Sequence, residues 1–256
     1  MRIRSAGKTD VGRKRSQNED RYLINEEERL FVVCDGMGGH ASGEIAAQLA
    51  IDEISAFFAL NKKDPEITWR FKENKKLNSF EAQKLEAAIK WANFAVHSKA
   101  CEAPNYKGMG TTCVAALLVN GECIIGHVGD SRCYRIRDSK IELLTEDHSL
   151  LNDYRKLPNV TADDLKNFPH KNVITRALGM KPTVQVDIKT EKVLDGDIYL
   201  LCCDGLSGEV SEEEMLKTVL EAQGDLQKAC DELVRKANEH GGRDNITVVL
   251  VAVSSQ

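Results

Sequence analysis

Long apolar runs and an excess of basic residues are both missing from this chain of 256 residues. No apolar run approaches the roughly 20 residues that a membrane-spanning helix needs. The amino terminus, MRIRSAGKTD, lacks the apolar segment of a secretory signal. The formal net charge of −5 disfavours binding to nucleic acid or an anionic membrane, because both need clustered Lys and Arg. We therefore expect a cytoplasmic protein that binds neither.

Cysteine pairs with C-x-x-C spacing are also absent, although the chain has eight cysteines. The absence of this spacing argues against a zinc site. Several of the cysteines lie within apolar runs, where free cysteine behaves as a small hydrophobe. We expect reduced, structural thiols, as is usual in the cytosol. Cys202 and Cys203 are adjacent in a predicted strand, so their side chains should point to opposite faces.

No repeat or linker divides the chain, and we expect one domain over residues 1–256. Apolar residues at helical spacing predict helices at residues 43–60, 79–100, 211–222 and 225–240. Strand-like runs are RYLIN, RLFVVCD, TTCVAALLV, ECIIGHVG, CYRIR, IELLT, VQVDIKTEKV, DIYLLCCD and ITVVLVAV. Residues 145–172 are polar, contain two prolines and have no clear period, so we expect a mobile excursion there.

The order of these elements predicts an α+β fold, because strands and helices come in runs and do not alternate. Tight hairpins, such as the one predicted at Asn120-Gly121, favour antiparallel sheets. Helices outside a pair of packed sheets would bury both the continuous apolar strands and the half-polar ones.

Acidic residues recur at the ends of apolar strands. In VVCDGMGGHASGE an aspartate and a glycine-rich turn follow a buried strand, and the pattern returns in YLLCCDGLSGE and IIGHVGDSR. Hairpin geometry places residue 20 opposite residue 35 and residue 111 near residue 130. The sequence thus predicts five aspartates at one end of the structure: Asp20, Asp35, Asp130, Asp204 and Asp244.

Each aspartate alone could serve as a turn former or a cap, but five together would repel one another and raise their own pKa values. Hard divalent cations remove that cost, and oxygen ligands favour Mg²⁺ or Mn²⁺ over zinc. Two ions about 4 Å apart could activate a bridging water and orient a phosphoryl group.

The loops GMGG and GMGTT lack the Lys-Ser or Lys-Thr of a nucleotide-binding loop, which argues against nucleotide binding.

Eight motifs, in order along nearly the whole chain, resemble the type 2C (PPM) metal-dependent serine/threonine protein phosphatases in their bacterial form. They are RSQNED, VCDGMGGHASGE, GMGTT, GHVGDSR, LTEDHS, NVITRALG, YLLCCDGL and GGRDNIT. The resemblance implies a four-layer α-β-β-α sandwich with two antiparallel sheets, flanking helix pairs and a binuclear metal site at one edge. It also implies that residues 145–172 form a flap beside that site.

The same resemblance implies roles for the metal ligands. Asp35 would bridge two Mn²⁺ or Mg²⁺ ions, and the Gly36 carbonyl would bind one of them or lie near it. Asp204 and Asp244 would hold the other ion. Asp130, with Asp204, would hold a third and weaker ion.

The remaining site residues are also carried over from the resemblance. Asp20, and with it Glu19, would contact the ions through water, and Arg15 would clamp the substrate phosphate. A metal-bridging hydroxide would attack phosphorus in line, without a phospho-enzyme. His40 would be the general acid, with His148 as the second choice; alternatively, His40 caps or orients the following helix, because DGMGGH is longer than the DGH of animal enzymes.

The resulting hypothesis is a monomeric phosphoprotein phosphatase whose partners are phosphorylated proteins and a Hanks-type serine/threonine kinase. Two alternatives remain. One is a phosphomonoesterase for a small metabolite, whose catalytic centre would look the same. The other is a catalytically silent module that binds phosphoproteins, against which the complete set of acids argues.

Overall fold

The computed structural model describes residues 1–38, 42–63, 77, 79–170 and 173–254. Its helices are α1 (Ser42–Lys63), α2 (Phe80–Glu102), α3 (Leu150–Arg155), α4 (Ala162–Lys166), α5 (Asp204–Ser207), α6 (Glu212–Glu221) and α7 (Leu226–Glu239), with a 3₁₀ turn at Pro104–Tyr106. Its strands are β1 (Arg2–Asp10), β2 (Arg21–Asn25), β3 (Leu30–Cys34), β4 (Gly36–Met37), β5 (Gly110–Thr111), β6 (Cys113–Val119), β7 (Glu122–Val128), β8 (Arg132–Arg137), β9 (Lys140–Leu143), β10 (Asp187–Lys192), β11 (Ile198–Cys202) and β12 (Ile246–Ser254).

Two five-stranded antiparallel sheets form the centre of the molecule. One has the order β1-β12-β11-β8-β9 and the other β10-β7-β6-β3-β2, while β4 and β5 form a separate two-stranded ladder. The predicted hairpins are present, with Arg21 opposite Cys34 and Val119 opposite Glu122. These registers confirm the antiparallel α+β fold.

Each sheet packs against the other sheet on one face and against a helix pair on its other face. In β3, Leu30, Val32 and Cys34 join a cluster with α1 and α2, whereas Phe31 and Val33 join the cluster between the sheets. Helices α6 and α7 cover the outer face of the β1-containing sheet. Burial on both faces explains why β3 reads as a continuous apolar run. The four predicted layers are thus confirmed.

Cys202 and Cys203 point as expected. Cys202 packs in the cluster beneath α6 and α7, and Cys203 packs between the sheets. All eight cysteines are free, and Cys101 is the exposed one. Among the described residues, no helix combines the length and apolarity that crossing a membrane requires.

Strand β1 was not predicted from the sequence. It pairs with β12 along its whole length, from Arg2 opposite Ser254 to Asp10 opposite Ile246. Its residues are mostly partly buried, with Ala6 the one fully buried position. A strand with so little apolar alternation gives no periodic signal, because its place in the sheet depends on pairing with β12.

The segment 145–172 contains two short helices, where the sequence showed no period. Ser149 caps α3 by accepting a hydrogen bond from the Asn152 amide, and Thr161 with Asp164 forms a capping box at α4. Helices of six and five residues are too short to show an apolar stripe. Ser149, just before α3, forms an antiparallel bridge with Ile174, which lies just beyond the segment.

Candidate metal centre and phosphate site

The hairpin registers bring the predicted aspartates to one end of the sandwich. The pairing of Arg21 with Cys34 sets Asp20 beside Asp35, and the pairing of Cys113 with Val128 continues toward Asp130. Asp204 opens α5 directly after β11, which lies beside β12 in the same sheet. The convergence that was predicted from strand ends is therefore present.

Backbone hydrogen bonds hold Asp35 in place. The Asp35 amide donates to Thr112 Oγ1 at 2.9 Å, and the Asp35 carbonyl accepts from the Thr112 amide at 2.8 Å and from Thr111 Oγ1 at 2.9 Å. All three hydrogen bonds are made to the main chain of Asp35, so they leave the Asp35 carboxylate available for a ligand.

Two glycines permit close approaches of the main chain at the site. A Cβ on Gly36 would lie 2.2 Å from the Gly43 carbonyl oxygen, where α1 begins. A Cβ on Gly205 would lie 1.9 Å from the Asn245 carbonyl oxygen, which brings Asp204 close to Asp244. Side chains at these positions would push the acid-bearing loops apart.

The raised pKa of Asp35 shows that the charges of the other four aspartates act on this carboxyl group. Burial, followed by the charges of Asp20, Asp204, Asp130 and Asp244, raises the pKa of Asp35 well above its usual value. Burial is also the largest cause for Asp20 and for Asp130, and it raises the pKa of each to about 7. Each ionised group therefore destabilises its neighbours. Protonation relieves this repulsion in the metal-free protein, and a bound cation would relieve it while the carboxylates stay ionised.

The donor atoms fit hard divalent cations. Asp20 Oδ1 and Asp130 Oδ1 are buried and have no hydrogen-bond partner among the described residues. Ligand atoms of Asp20, Asp35 and Cys203 lie within 4.8 Å of one another. Buried anionic oxygens without donors are costly unless a cation binds them, and carboxylate oxygens suit Mg²⁺ or Mn²⁺.

Three residues that the sequence analysis did not assign to the site hold this cluster together. Asn245 Oδ1 accepts from the Glu19 amide at 2.8 Å, and its Nδ2 donates to the Val11 and Gln17 carbonyls at 2.9 Å each. Thr247 Oγ1 donates to Asp20 Oδ2 at 2.7 Å. Cys203 Sγ donates to the Asn245 carbonyl at 3.3 Å and accepts from the Thr247 amide at 3.1 Å. The available signal was the adjacency of Cys203 to Asp204 and of Asn245 to Asp244, whereas Thr247 lies three residues after Asp244.

Arg15 lies at the open side of the cluster. Its Nη2 donates to Asp244 Oδ2 at 2.7 Å, and about half of the Arg15 side chain is exposed. The charges of Asp244, Glu19 and Asp35 keep the pKa of Arg15 raised, although its partial burial opposes this. Burial is the main reason that the pKa of Glu19 is raised. A half-exposed guanidinium beside buried acids is well placed to meet a phosphate group.

The two histidines considered as general acids differ. His40 lies outside the described residues. His148 is buried, its Nδ1 accepts from the Gly129 amide at 3.0 Å, and its Nε2 lies 3.1 Å from Asp187 Oδ2. Both ring nitrogens of His148 therefore have protein partners that position the ring, and its second-choice role as general acid stays a prediction.

Comparison with known proteins gives a consistent result. A family model described as protein phosphatase 2C matches residues 10–250. The chain is 35% identical over 251 residues to the serine/threonine phosphatase stp of Listeria welshimeri, covering 95% of this chain and 93% of that protein. It is 33% identical to the protein phosphatase PhpP of Streptococcus pneumoniae, covering 97% and 96%.

A solved structure agrees in fold. The catalytic domain of the serine/threonine protein phosphatase PstP, in complex with two manganese ions, superimposes with a TM-score of 0.81 and 32% identity, covering 99% of both chains. That neighbour contains the class of ion that the carboxylate cluster fits.

Proposed function

The chain belongs to the protein phosphatase 2C family, and from this premise we propose that it hydrolyses phosphoserine and phosphothreonine in proteins with Mn²⁺ or Mg²⁺ as cofactor. One observation of the site carries the proposal. Five aspartates converge around buried oxygens that have no donor among the described residues, and a half-exposed arginine lies beside them. Divalent cations would neutralise carboxylate charge in this cluster, and Arg15 would meet the negative charge of a phosphate group.

The proposed ligand set follows the positions of the acids. Asp35 and the Gly36 carbonyl would hold one ion, Asp35 would be shared with the second, and Asp204 and Asp244 would complete the second. Asp130, whose Oδ1 is a buried acceptor without a donor, would join Asp204 at a third site.

The protein groups divide the chemistry among them. When bound, the ions supply a water of lowered pKa and neutralise phosphate charge. Asp20 Oδ1, buried and anchored through Thr247, would accept a hydrogen bond from that water and orient it, and Glu19 would assist at the rim. Arg15 would donate two parallel hydrogen bonds to the phosphate oxygens. His40 remains the predicted general acid for the leaving oxygen.

Phosphorylated proteins are the proposed substrates, and a Hanks-type serine/threonine kinase would generate them. We also propose that the enzyme acts as a monomer in the cytoplasm. Its eight free cysteines support a reducing compartment. A phosphomonoesterase for a small metabolite would use the same centre, so comparing rates on phosphopeptides and sugar phosphates distinguishes these two functions.

The first test is hydrolysis of p-nitrophenyl phosphate and a phosphothreonine peptide by wild type and Asp204→Ala, with Mn²⁺ and with EDTA. We expect activity that requires Mn²⁺ and that is lost in the variant. Asp231→Ala is the matched control, because Asp231 is half exposed on α7 and pairs with Lys8 away from the cluster. Circular dichroism of each variant confirms folding. A wild type that binds the phosphopeptide but is inactive with added metal would show a binding module instead.

A further inference from the structure

A groove of about 470 Å³ adjoins the metal centre. Its wall consists of Met37 and of residues 174–177, 180, 181 and 183–185. Met37 is the residue that follows Gly36, so the groove begins one residue from the proposed metal-binding carbonyl. None of the carboxylates assigned to the ions lines it, and it is therefore a separate surface beside the centre.

The main chain fixes the distance between the groove and the reacting phosphate. Gly36 pairs with Thr111 in the ladder of β4 and β5, and Thr111 exchanges two hydrogen bonds with Leu178, at 3.1 and 2.8 Å. Segment 174–185 thus lies one strand beyond β5 and two strand spacings, about 10 Å, from Gly36. An extended peptide rises about 3.3–3.6 Å per residue. The far side of the groove is therefore within reach of a substrate residue about three positions from the phosphorylated one.

The lining of the groove combines apolar and positive groups. Met37 contributes at the near end, and Met180 is 53% exposed at the far end. Arg176 and Lys181 supply positive charge, and no lining residue is acidic. Arg176 is already engaged, since its Nη1 donates to Asp187 Oδ1 at 2.7 Å and to the Gln185 carbonyl at 3.3 Å. Lys181 is exposed and forms no ion pair with the residues that the structure describes.

Buried Asn93 on α2 holds the backbone of this turn. Its Nδ2 donates to the Lys181 carbonyl at 3.1 Å, and its Oδ1 accepts from the Gly179 amide at 2.9 Å. Gly179 has φ +87°, a conformation that favours glycine. The main chain at Lys181 is therefore preset, and only its side chain has to be ordered when an anion binds.

Building on the proposed phosphatase activity, we propose that this groove selects among phosphoprotein substrates. It receives the residues that flank the phosphorylated one, with an apolar side chain against Met37 and Met180 and the carboxylate of an Asp or Glu at Lys181. The argument rests on charge complementarity: Lys181 is exposed, has no ion pair among the described residues, and would attract an acidic side chain of the substrate. Lys181 is thus a specificity-determining residue, and it does not contact the reacting atoms.

The test uses phosphothreonine peptides in an alanine background that carry one Glu, one Lys or one Leu at each position up to four residues on either side, with the all-alanine peptide as reference. Wild type, Lys181→Glu and the control Lys217→Glu are compared by kcat/KM, with p-nitrophenyl phosphate as the substrate that cannot reach the groove. Lys217 lies on α6, is exposed, and undergoes the same charge change far from the groove.

We expect wild type and Lys217→Glu to favour a Glu about three residues away by about two- to fivefold, the size of an exposed ion pair. Lys181→Glu should reverse this preference toward Lys. The preference should shrink in high salt because exposed charges are screened. Met180→Ser should remove a corresponding preference for Leu over Ala without altering the response to Glu.

The proposal is overturned if Lys181→Glu keeps the wild-type preference, or if Lys217→Glu reverses it equally, which would indicate net charge as the cause. It is also overturned if Lys181→Glu lowers hydrolysis of p-nitrophenyl phosphate, because the residue would then act on the centre. Failure of the phosphatase function itself is distinguishable, since wild type would then hydrolyse neither kind of substrate.

Discussion

His148 and Arg176 share a single carboxylate, that of Asp187 at the start of β10. His148 Nε2 lies 3.1 Å from Asp187 Oδ2, and Arg176 Nη1 donates to Asp187 Oδ1 at 2.7 Å. Because the Gly129 amide donates to His148 Nδ1, the proton must be on Nε2, which donates to Asp187. His148 precedes the flap helices and Arg176 follows them. One carboxylate therefore ties both ends of the segment that is predicted to form the flap to the sheet, next to the loop that carries Asp130.

The first prediction concerns this connection. Asp187→Ala removes the carboxylate that accepts from both His148 Nε2–H and Arg176. The loss of these part-exposed charged hydrogen bonds should lower the free energy of unfolding by about 1 kcal/mol. We expect faster hydrogen exchange at the Leu150 and Thr175 amides, which donate across the neck of the flap to the Val173 and His148 carbonyls. Exchange measured by mass spectrometry on peptides covering the neck checks this.

The control for the flap neck is Glu191→Ala, which removes another acid from the same strand. Glu191 pairs with Arg135 and Lys189, away from the flap. If exchange at the neck rises equally in both variants, the effect belongs to β10 as a whole and the coupling through Asp187 is refuted.

The second prediction concerns Arg15, which pairs with Asp244 across the open side of the site. Arg15→Ala should lower kcat/KM for a phosphopeptide by about one to two orders of magnitude, since charge-assisted hydrogen bonds contribute about 1.5–3 kcal/mol. Arg15→Lys should recover only part, because an ammonium cannot form the paired contacts of a guanidinium. Steady-state kinetics on both variants gives the comparison.

Arg13 offers the matched control on the same loop, where its Nε donates to the Asn238 carbonyl at 2.8 Å. Arg13→Lys keeps the charge and should leave kcat/KM near the wild-type value. Equal losses in the Arg13 and Arg15 variants would mean that the loop's conformation, not a phosphate contact, explains the result.

Much of the site was predictable from the sequence, because the relevant geometry is local. Tight hairpins fix register, so placing Asp20 beside Asp35 required only the turn between β2 and β3. The connections that cross the chain were not predictable in this way. Asn245 bridges to Val11 and Gln17 over more than 220 residues, and no spacing rule encodes such a contact.

The features that the sequence did not reveal have the same cause. Strand β1 has little alternation of its own and is defined by pairing with β12, at the other end of the sequence. His148 lies in a motif near the site, which made it a candidate acid, yet its ring is held by Gly129 and Asp187 from two other strand ends. Motif position indicates where a side chain lies, whereas its hydrogen-bond partners decide what it does.

The third prediction separates the destabilisation that the acids cause in the metal-free protein from their role in binding metal. Burial and four neighbouring aspartates raise the pKa of Asp35, so its ionised form destabilises the metal-free protein. Asp35→Asn should therefore raise the melting temperature in EDTA, by about 2–4 °C for each kcal/mol of repulsion removed. With Mn²⁺ the order should invert, because wild type gains stability from binding and the variant does not.

Differential scanning fluorimetry with and without Mn²⁺ measures both halves of the Asp35 prediction. Asp52→Asn on the exposed face of α1 is the control, since Asp52 accepts a hydrogen bond from Gln48 and is remote from the cluster. A lower melting temperature for Asp35→Asn in EDTA would show that this carboxylate stabilises the metal-free fold, contrary to the repulsion argument.

The fourth prediction is that the dependence of the free energy of unfolding on pH has opposite directions in the metal-free protein and in the protein with Mn²⁺. Burial raises the pKa of Asp20 and of Asp130 from 3.8 to about 7. Between these values the metal-free folded chain holds more protons than the unfolded chain, so its free energy of unfolding falls as pH rises. The stabilisation of the folded chain by these bound protons is complete below the pKa of the unfolded state. It is lost as pH rises through the pKa of the folded state.

With Mn²⁺ present the dependence should reverse, because protons compete with the cation for the same oxygens and ionisation then favours binding. Melting temperatures in EDTA should therefore be higher at about pH 5 than at about pH 8, whereas the increase caused by Mn²⁺ should grow over the same interval. Asp20→Asn should flatten the EDTA profile, because it removes one titrating group, while Asp52→Asn should leave it unchanged. A metal-free profile that rises with pH would mean that these carboxyls are already ionised in the folded protein, and that other positive charge balances them.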